Sequence, residues 1–113
     1  MPRPYSPRRA RARWLEDAPA YVLDVFDHGS TVADRYTVVF KDDFTHDSET
    51  AAYYLGMSED PAHPTFGCST SGVFRAHELA TFRYRNARNR TRWLDLPEAV
   101  RRHVGVRFAL VYY

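Results

Sequence analysis

Apolar and polar positions along this chain alternate in short runs, and helical spacing appears clearly only near the C-terminal end. In AYVLDVFD (20–27), Tyr21, Leu23 and Val25 fall on one side of an extended chain and Val22 and Phe26 on the other, which predicts a largely buried strand. DHGS follows as a turn in which Gly29 is free to take a positive φ. DRYTVVF (34–40), β-branched and aromatic, predicts a second strand that pairs with the first as a hairpin. AAYYLG (51–56) predicts a third. The segment from Gly72 to Leu79 fits either a helical turn or an irregular strand.

TFRYRNARNRTRWL (81–94) also alternates. Phe82 and Tyr84 share one side and Arg83 and Arg85 the other, while Arg90 and Arg92 alternate with Thr91 and Trp93. With NARN as the turn, this predicts a β-hairpin whose outer face is a ribbon of arginines. The period changes in DLPEAVRRHVG (95–105), where Leu96, Ala99, Val100, His103 and Val104 line one face of a helix and Arg101 and Arg102 face water. Asp95 is the expected N-cap with Glu98 three residues on, Pro97 sits in the first turn and Gly105 at the C-terminal stop. VRFALVYY (106–113) reads as a closing strand, with a continued helix as the alternative. These elements predict an α+β domain over 14–113: a small, mostly antiparallel β-sheet with one C-terminal α-helix packed on it.

The connecting segments have their own character. MPRPYSPRRARAR (1–13) has three prolines and five arginines, and is expected to be a disordered basic arm. KDDFTHDSET (41–50) is an acidic loop. Residues 56–72 form a second loop, stiffened by Pro61 and Pro64, with a side-chain cap expected from Ser58 or Glu59 and with Phe66 as an anchor.

Charge sharpens the picture. The net charge of the 113 residues is only +2, but it is segregated. Residues 14–71 hold 11 acids against Arg35 and Lys41 alone, and residues 72–113 hold nine Arg against Glu78, Asp95 and Glu98. Arginine supplies 15 of the 16 basic residues; a GC-rich coding sequence accounts for that choice but not for its segregation. Guanidinium groups suit phosphate and carboxylate partners. No run approaches the ~18 apolar residues of a membrane span, no apolar stretch follows the basic start, and a single cysteine forms no internal disulfide. A cytoplasmic setting is expected, with no membrane partner.

Candidate chemistry is thin. His63 and Cys68, with His77 further on, supply the residue types of a Cys–His nucleophile or a zinc site, but not the spacing of either. Asp42, Asp43, His46, Asp47 and Glu49 carry oxygen ligands for a divalent cation without the spacing of a calcium loop. No cofactor is expected.

The order ADRYTVVF, YLGMSEDPAHPTFG, WLDLPEAVRRHV resembles a group of short, uncharacterised proteins of tailed bacteriophages and prophages. The element carrying the resemblance is Gly56, Met57, Ser58, Glu59, Pro61, His63, Pro64, Phe66 and Gly67, followed later by the Asp-Leu-Pro helix. The resemblance spans roughly residues 21 to 104. It departs at Cys68, Ser69 and Thr70, where the group often has Gln, His and Gly, so no role of that His transfers. It implies a viral or prophage setting but no particular reaction.

Together these features predict a phage-type accessory protein that binds a host protein or nucleoprotein complex, as a counter-defence inhibitor would. Its contact residues are then the Arg ribbon (Arg83, Tyr84, Arg85, Arg88, Arg90, Arg92) and the loop (Met57, Glu59, His63, Phe66). One alternative is a DNA- or RNA-binding module in which the ribbon and arm grip phosphates. Another is a metal-dependent nuclease built on the acidic loop.

Overall fold

In a computed structural model, residues 20–41, 50–60 and 70–112 are described. The basic arm, residues 42–49 of the acidic loop and residues 61–69 of the second loop lie outside them, and so do the expectations placed on those segments. Five strands, β1 (Val22–Asp27), β2 (Tyr36–Lys41), β3 (Thr50–Met57), β4 (Thr70–Arg75) and β5 (Arg90–Thr91), form one sheet in the order β4-β3-β2-β1-β5. Every pairing is antiparallel. Among the described residues two helices follow the main strands, α1 (Ala76–Arg85) and α2 (Glu98–Tyr112), and Ala20 and Tyr21 are helical as well. The fold is therefore α+β, with α1 in addition to the expected C-terminal helix.

The central strand explains the layering. Residues 36–40 are all buried, because β2 has a covered face on each side; such strands read as continuous apolar runs. On one face Val25, Tyr36, Val38, Phe40, Leu55 and Met57 pack with Leu96, Val100 and Val104 of the C-terminal segment. On the other, Phe26, Val39 and Ala52 pack with Leu79, and Leu23, Tyr54, Phe74 and Phe82 close the edge of that cluster. Each fully buried side chain of this kind contributes about 1.5–3 kcal/mol of transfer free energy.

β1 does not alternate as the sequence suggests. Val22 stands opposite Phe40 and Asp24 opposite Val39, so β1 carries one extra residue at that point. Asp24 and Phe26, two apart, share the α1 side as regular alternation requires; the bulge adds Leu23 to that side and leaves Val22 beside Val25 on the α2 side. The hairpin turn is as expected: Gly29 has φ +91°, and Asp27 Oδ1 accepts its N–H at 2.9 Å.

Residues 81–94 are not a hairpin. β4 runs to Arg75, and α1 begins at once, with the Glu78 carboxylate accepting the Arg75 N–H at 3.0 Å. Leu79 and Phe82, three apart, supply the inward stripe. Tyr84 is 86% exposed and not a companion of Phe82. The helix stops at Asn86, whose backbone N–H and side-chain Nδ2 both donate to Phe82 O. Only Arg90 and Thr91 return to the sheet, against Phe26 and Val25 of β1.

The C-terminal helix is also displaced. Asp95 belongs to a short 3₁₀ turn (Trp93–Asp95), and the first intrahelical carbonyl of α2 is that of Pro97, which accepts from Arg101 N. Leu96, Val100 and Val104 are buried as expected, whereas Ala99 is exposed and Arg101 half-buried. Gly105 is inside the helix and buried, and α2 continues to Tyr112 in place of a closing strand. Tertiary cover on one face outweighs the modest cost of an internal glycine, about 1 kcal/mol relative to Ala.

Gly72 of β4 lies beneath the ring of Tyr54, which packs on Phe74 at 4.5 Å between centroids. A Cβ at Gly72 stands 2.8 Å from the Tyr54 hydroxyl oxygen and 2.9 Å from ring atoms Cε1 and Cζ. Gly72→Ala is therefore expected to cost about 1–3 kcal/mol, the usual penalty for overpacking, read as a lower urea midpoint at unchanged slope.

Candidate binding surface

The site is built on a buried acid. The Asp24 side chain has no exposed area, yet it carries a carboxylate. Two guanidinium groups reach it: Arg83 Nε from α1 donates to Oδ2 at 2.6 Å, and Arg90 Nη2 from β5 lies 2.5 Å from Oδ1 as an ion pair without hydrogen-bond alignment. Both arginines remain half open to water, at 40% and 57%. A lone acid within the apolar run VLDVF was the signal in the sequence for this hub. Alternation puts the acid on the Phe26 face; the bulge that brings Leu23 beside it was not legible.

A second device fixes the turn between α1 and β5. The His28 ring stacks on Phe26 and meets Phe82 edge-on. Its Nε2 is 2.8 Å from Thr37 Oγ1 and its Nδ1 3.2 Å from Asn89 Nδ2. Asn89 Nδ2 also donates to Asn86 Oδ1, and Asn86 Nδ2 to Phe82 O. The direction of this relay is set at its far end, because a carbonyl oxygen only accepts. Asn86 must present its oxygen to Asn89, and Asn89 its NH₂ to His28. Nδ1 is then an acceptor, and the ring is neutral with its proton on Nε2. Burial pushes His28 below the ordinary imidazole range, and the neighbouring Asp27 carboxylate opposes this by less.

The turn so held displays Tyr84, Arg85 and Arg88, all exposed. Neither Arg85 nor Arg88 has an acidic partner among the described residues. Arg92 is occupied: its Nε and Nη2 donate to Asp95 at 3.1 and 3.3 Å, and Thr91 Oγ1 donates to the same carboxylate. Those bonds, the Arg92 one foremost, hold Asp95 below the usual carboxylate range. Leu94 is 74% exposed in the same segment.

Of the candidate loop residues, Met57 and Glu59 fall within the described residues, and they differ in exposure. Met57 is the last residue of β3 and fully buried, so it belongs to the core and offers no surface to a partner. Glu59 is exposed, but it binds Arg35 Nη1 at 2.5 Å. Arg35 also grips Asp27 through two bonds, 2.8 and 3.1 Å, and stands over the Tyr36 ring at 5.1 Å. The Arg35 hydrogen bond lowers the Asp27 pKa, and Arg35 itself stays charged. Ser58 Oγ accepts the Asp60 N–H at 3.0 Å, the expected side-chain cap. An open groove of about 570 Å³ runs between residues 30–33 and 58–60. His63, Phe66 and Cys68 lie outside the described residues, and His77 is exposed on α1. Among the described residues, no three His, Cys, Asp or Glu side chains converge to hold a metal ion, and no helix is long and apolar enough to cross a membrane.

No family model, curated protein or solved structure matches this chain.

Two measurements check these assignments. Removing the arginines strands a buried charge, whereas removing the acid leaves two cations that water still reaches. Arg83→Met with Arg90→Met should therefore cost about 3–5 kcal/mol, and Asp24→Asn only about 1–3 kcal/mol, compared by urea denaturation; the opposite ranking would mean that Asp24 is not the dependent partner. For His28, the unfolded imidazole takes up a proton near pH 6.5 and the folded one only at lower pH. Its contribution is complete above pH 6.5, and is lost as pH falls from there towards the folded pKa. His28→Gln should flatten that part of the urea-midpoint profile relative to the parent chain.

Proposed function

We propose that this protein is a binding module without a chemical step of its own, and that it docks on an acidic surface of another protein. The observation that carries this is Tyr84, 86% exposed on the last turn of α1, flanked by Arg85 and Arg88 with no acidic partner among the described residues. Tyrosine and arginine are the residue types that dominate interface energetics. Here the following turn is held by the Asn86–Asn89–His28 relay, so little ordering remains to be done on binding.

The same geometry weighs against a phosphate track. Of the five arginines between 83 and 92, Arg83 and Arg90 serve Asp24 and Arg92 serves Asp95. Long contacts with nucleic acid draw on many uncommitted cations. In the viral setting that the sequence resemblance implies, the partner is a host protein, and occupying its surface would inhibit it.

The test begins with affinity capture from nuclease-treated bacterial lysate, then purification of the captured protein and titration against point variants. Tyr84→Ala and Arg88→Glu should each weaken binding at least tenfold, a loss of about 1.4 kcal/mol. Wild-type affinity in both variants would exclude this surface. Tight binding to labelled DNA or RNA that collapses between about 50 and 200 mM salt would give the surface to nucleic acid instead.

A further inference from the structure

The two edges of the sheet are managed differently. β5 is two residues long, and its Arg90 is committed to Asp24. β4 is six residues long, and no described strand pairs with its outer edge. Between Thr70 and Phe74 it carries no charge and no proline. The irregularity in its pairing with β3 falls in β3, between Thr50 and Ala52, so β4 itself is not bulged. Edges open to water are usually blunted by charge, proline, a bulge or shortness. β4 has none of these within that stretch, and Val73 is 49% exposed on it.

We propose that β4 pairs antiparallel with β4 of a second copy of this chain across a two-fold axis at Val73, making one ten-stranded sheet. The register follows from parity. A two-fold axis normal to the sheet keeps each face on its own side, and residues opposite one another in an antiparallel pair point to the same face. A residue, not the gap between two, must therefore lie on the axis. With Gly72 there, glycine meets glycine and Val73 faces a serine. With Val73 there, two half-exposed valines cover each other, and Ser71 faces Arg75 of the second copy. Charge permits this register: the two Arg75 side chains are four strand positions apart, about 13 Å, beyond the ~8 Å screening length at physiological salt. In sequence, Tyr84 and Arg85 lie at the far end of α1 from the new contact and Arg88 in the turn beyond it, so each copy keeps its own binding turn.

Sedimentation velocity of the full chain over a concentration series should show a species of twice the 13.2 kDa chain mass. Val73→Lys should be monomeric with an unchanged circular dichroism spectrum, and its melting temperature should no longer rise with protein concentration, since the side chain is half-exposed and the contact between copies is lost. In a Cys68→Ser background, Val73→Cys should oxidise to a disulfide-linked dimer, because residues facing one another across antiparallel strands have Cα atoms about 4.5–5.5 Å apart, within disulfide reach. Ser71→Cys in the same background should not. A monomer at every concentration overturns the proposal, as does a dimer indifferent to Val73→Lys. A dimer in which Val73→Cys fails to cross-link overturns the register and with it the placement of the axis.

Discussion

A carboxylate without access to water has to be met by opposite charge, and in this fold that demand falls on Asp24. Its side chain sits on the α1 side of the sheet, beside Phe26 and opposite Val39. The cost of desolvating one ion is several kcal/mol, and it is offset only when partners approach closely. Arg83 and Arg90 do so from two different elements. Through that one acid, the end of α1 and the short strand β5 are both tied to β1, and the 86–89 turn between them has little freedom left. Regular alternation with Phe26 places the carboxylate on the α1 side, and the bulge before it brings Leu23 to the same side.

The hub also sorts the arginines of this region. Arg83 and Arg90, nearest the sheet, share Asp24, Arg92 folds back on Asp95, and Arg85 and Arg88 are left facing outward beside Tyr84. Three of the five like charges are thus committed to carboxylates, and two uncommitted cations remain beside one aromatic ring. The relay through Asn86, Asn89 and His28 holds the same turn from the β1–β2 hairpin, by hydrogen bonds whose direction is fixed at Phe82 O. Charge and amide geometry act on the same few residues, which is why the surface is ordered although it lies at a helix end.

Several features were plain in the residues. The run from Tyr36 to Phe40 announces a buried strand, and Gly29 announces the turn before it. Leu96, Val100 and Val104 mark the buried face of a helix. The segment 81–94 was misleading because Phe82 and Tyr84 are two apart, the spacing of a strand face, while the partner that makes Phe82 helical is Leu79, outside the alternating run. Once Leu79 is included, the stripe has a spacing of three, and Glu78 stands where it can cap. Gly105 misled in the opposite way: glycine often ends a helix, but here α2 is covered on one face by the sheet and runs on.

Elements whose apolar pattern is local are written in the residues alone: the β1–β2 hairpin, β3, the start of the buried face of α2, and the concentration of arginine after residue 72. So is the need of Asp24 for a partner, since an acid in an apolar strand cannot stay alone. The tertiary contacts select which partners it receives, which arginines are left to face water, and which of Tyr84 and Phe82 turns towards the sheet. Those outcomes depend on contacts between positions some sixty residues apart, Asp24 with Arg83 and His28 with Asn89. Such contacts leave no periodic trace along the chain, because a long-range ion pair or hydrogen bond is specified only when the fold brings its two ends together.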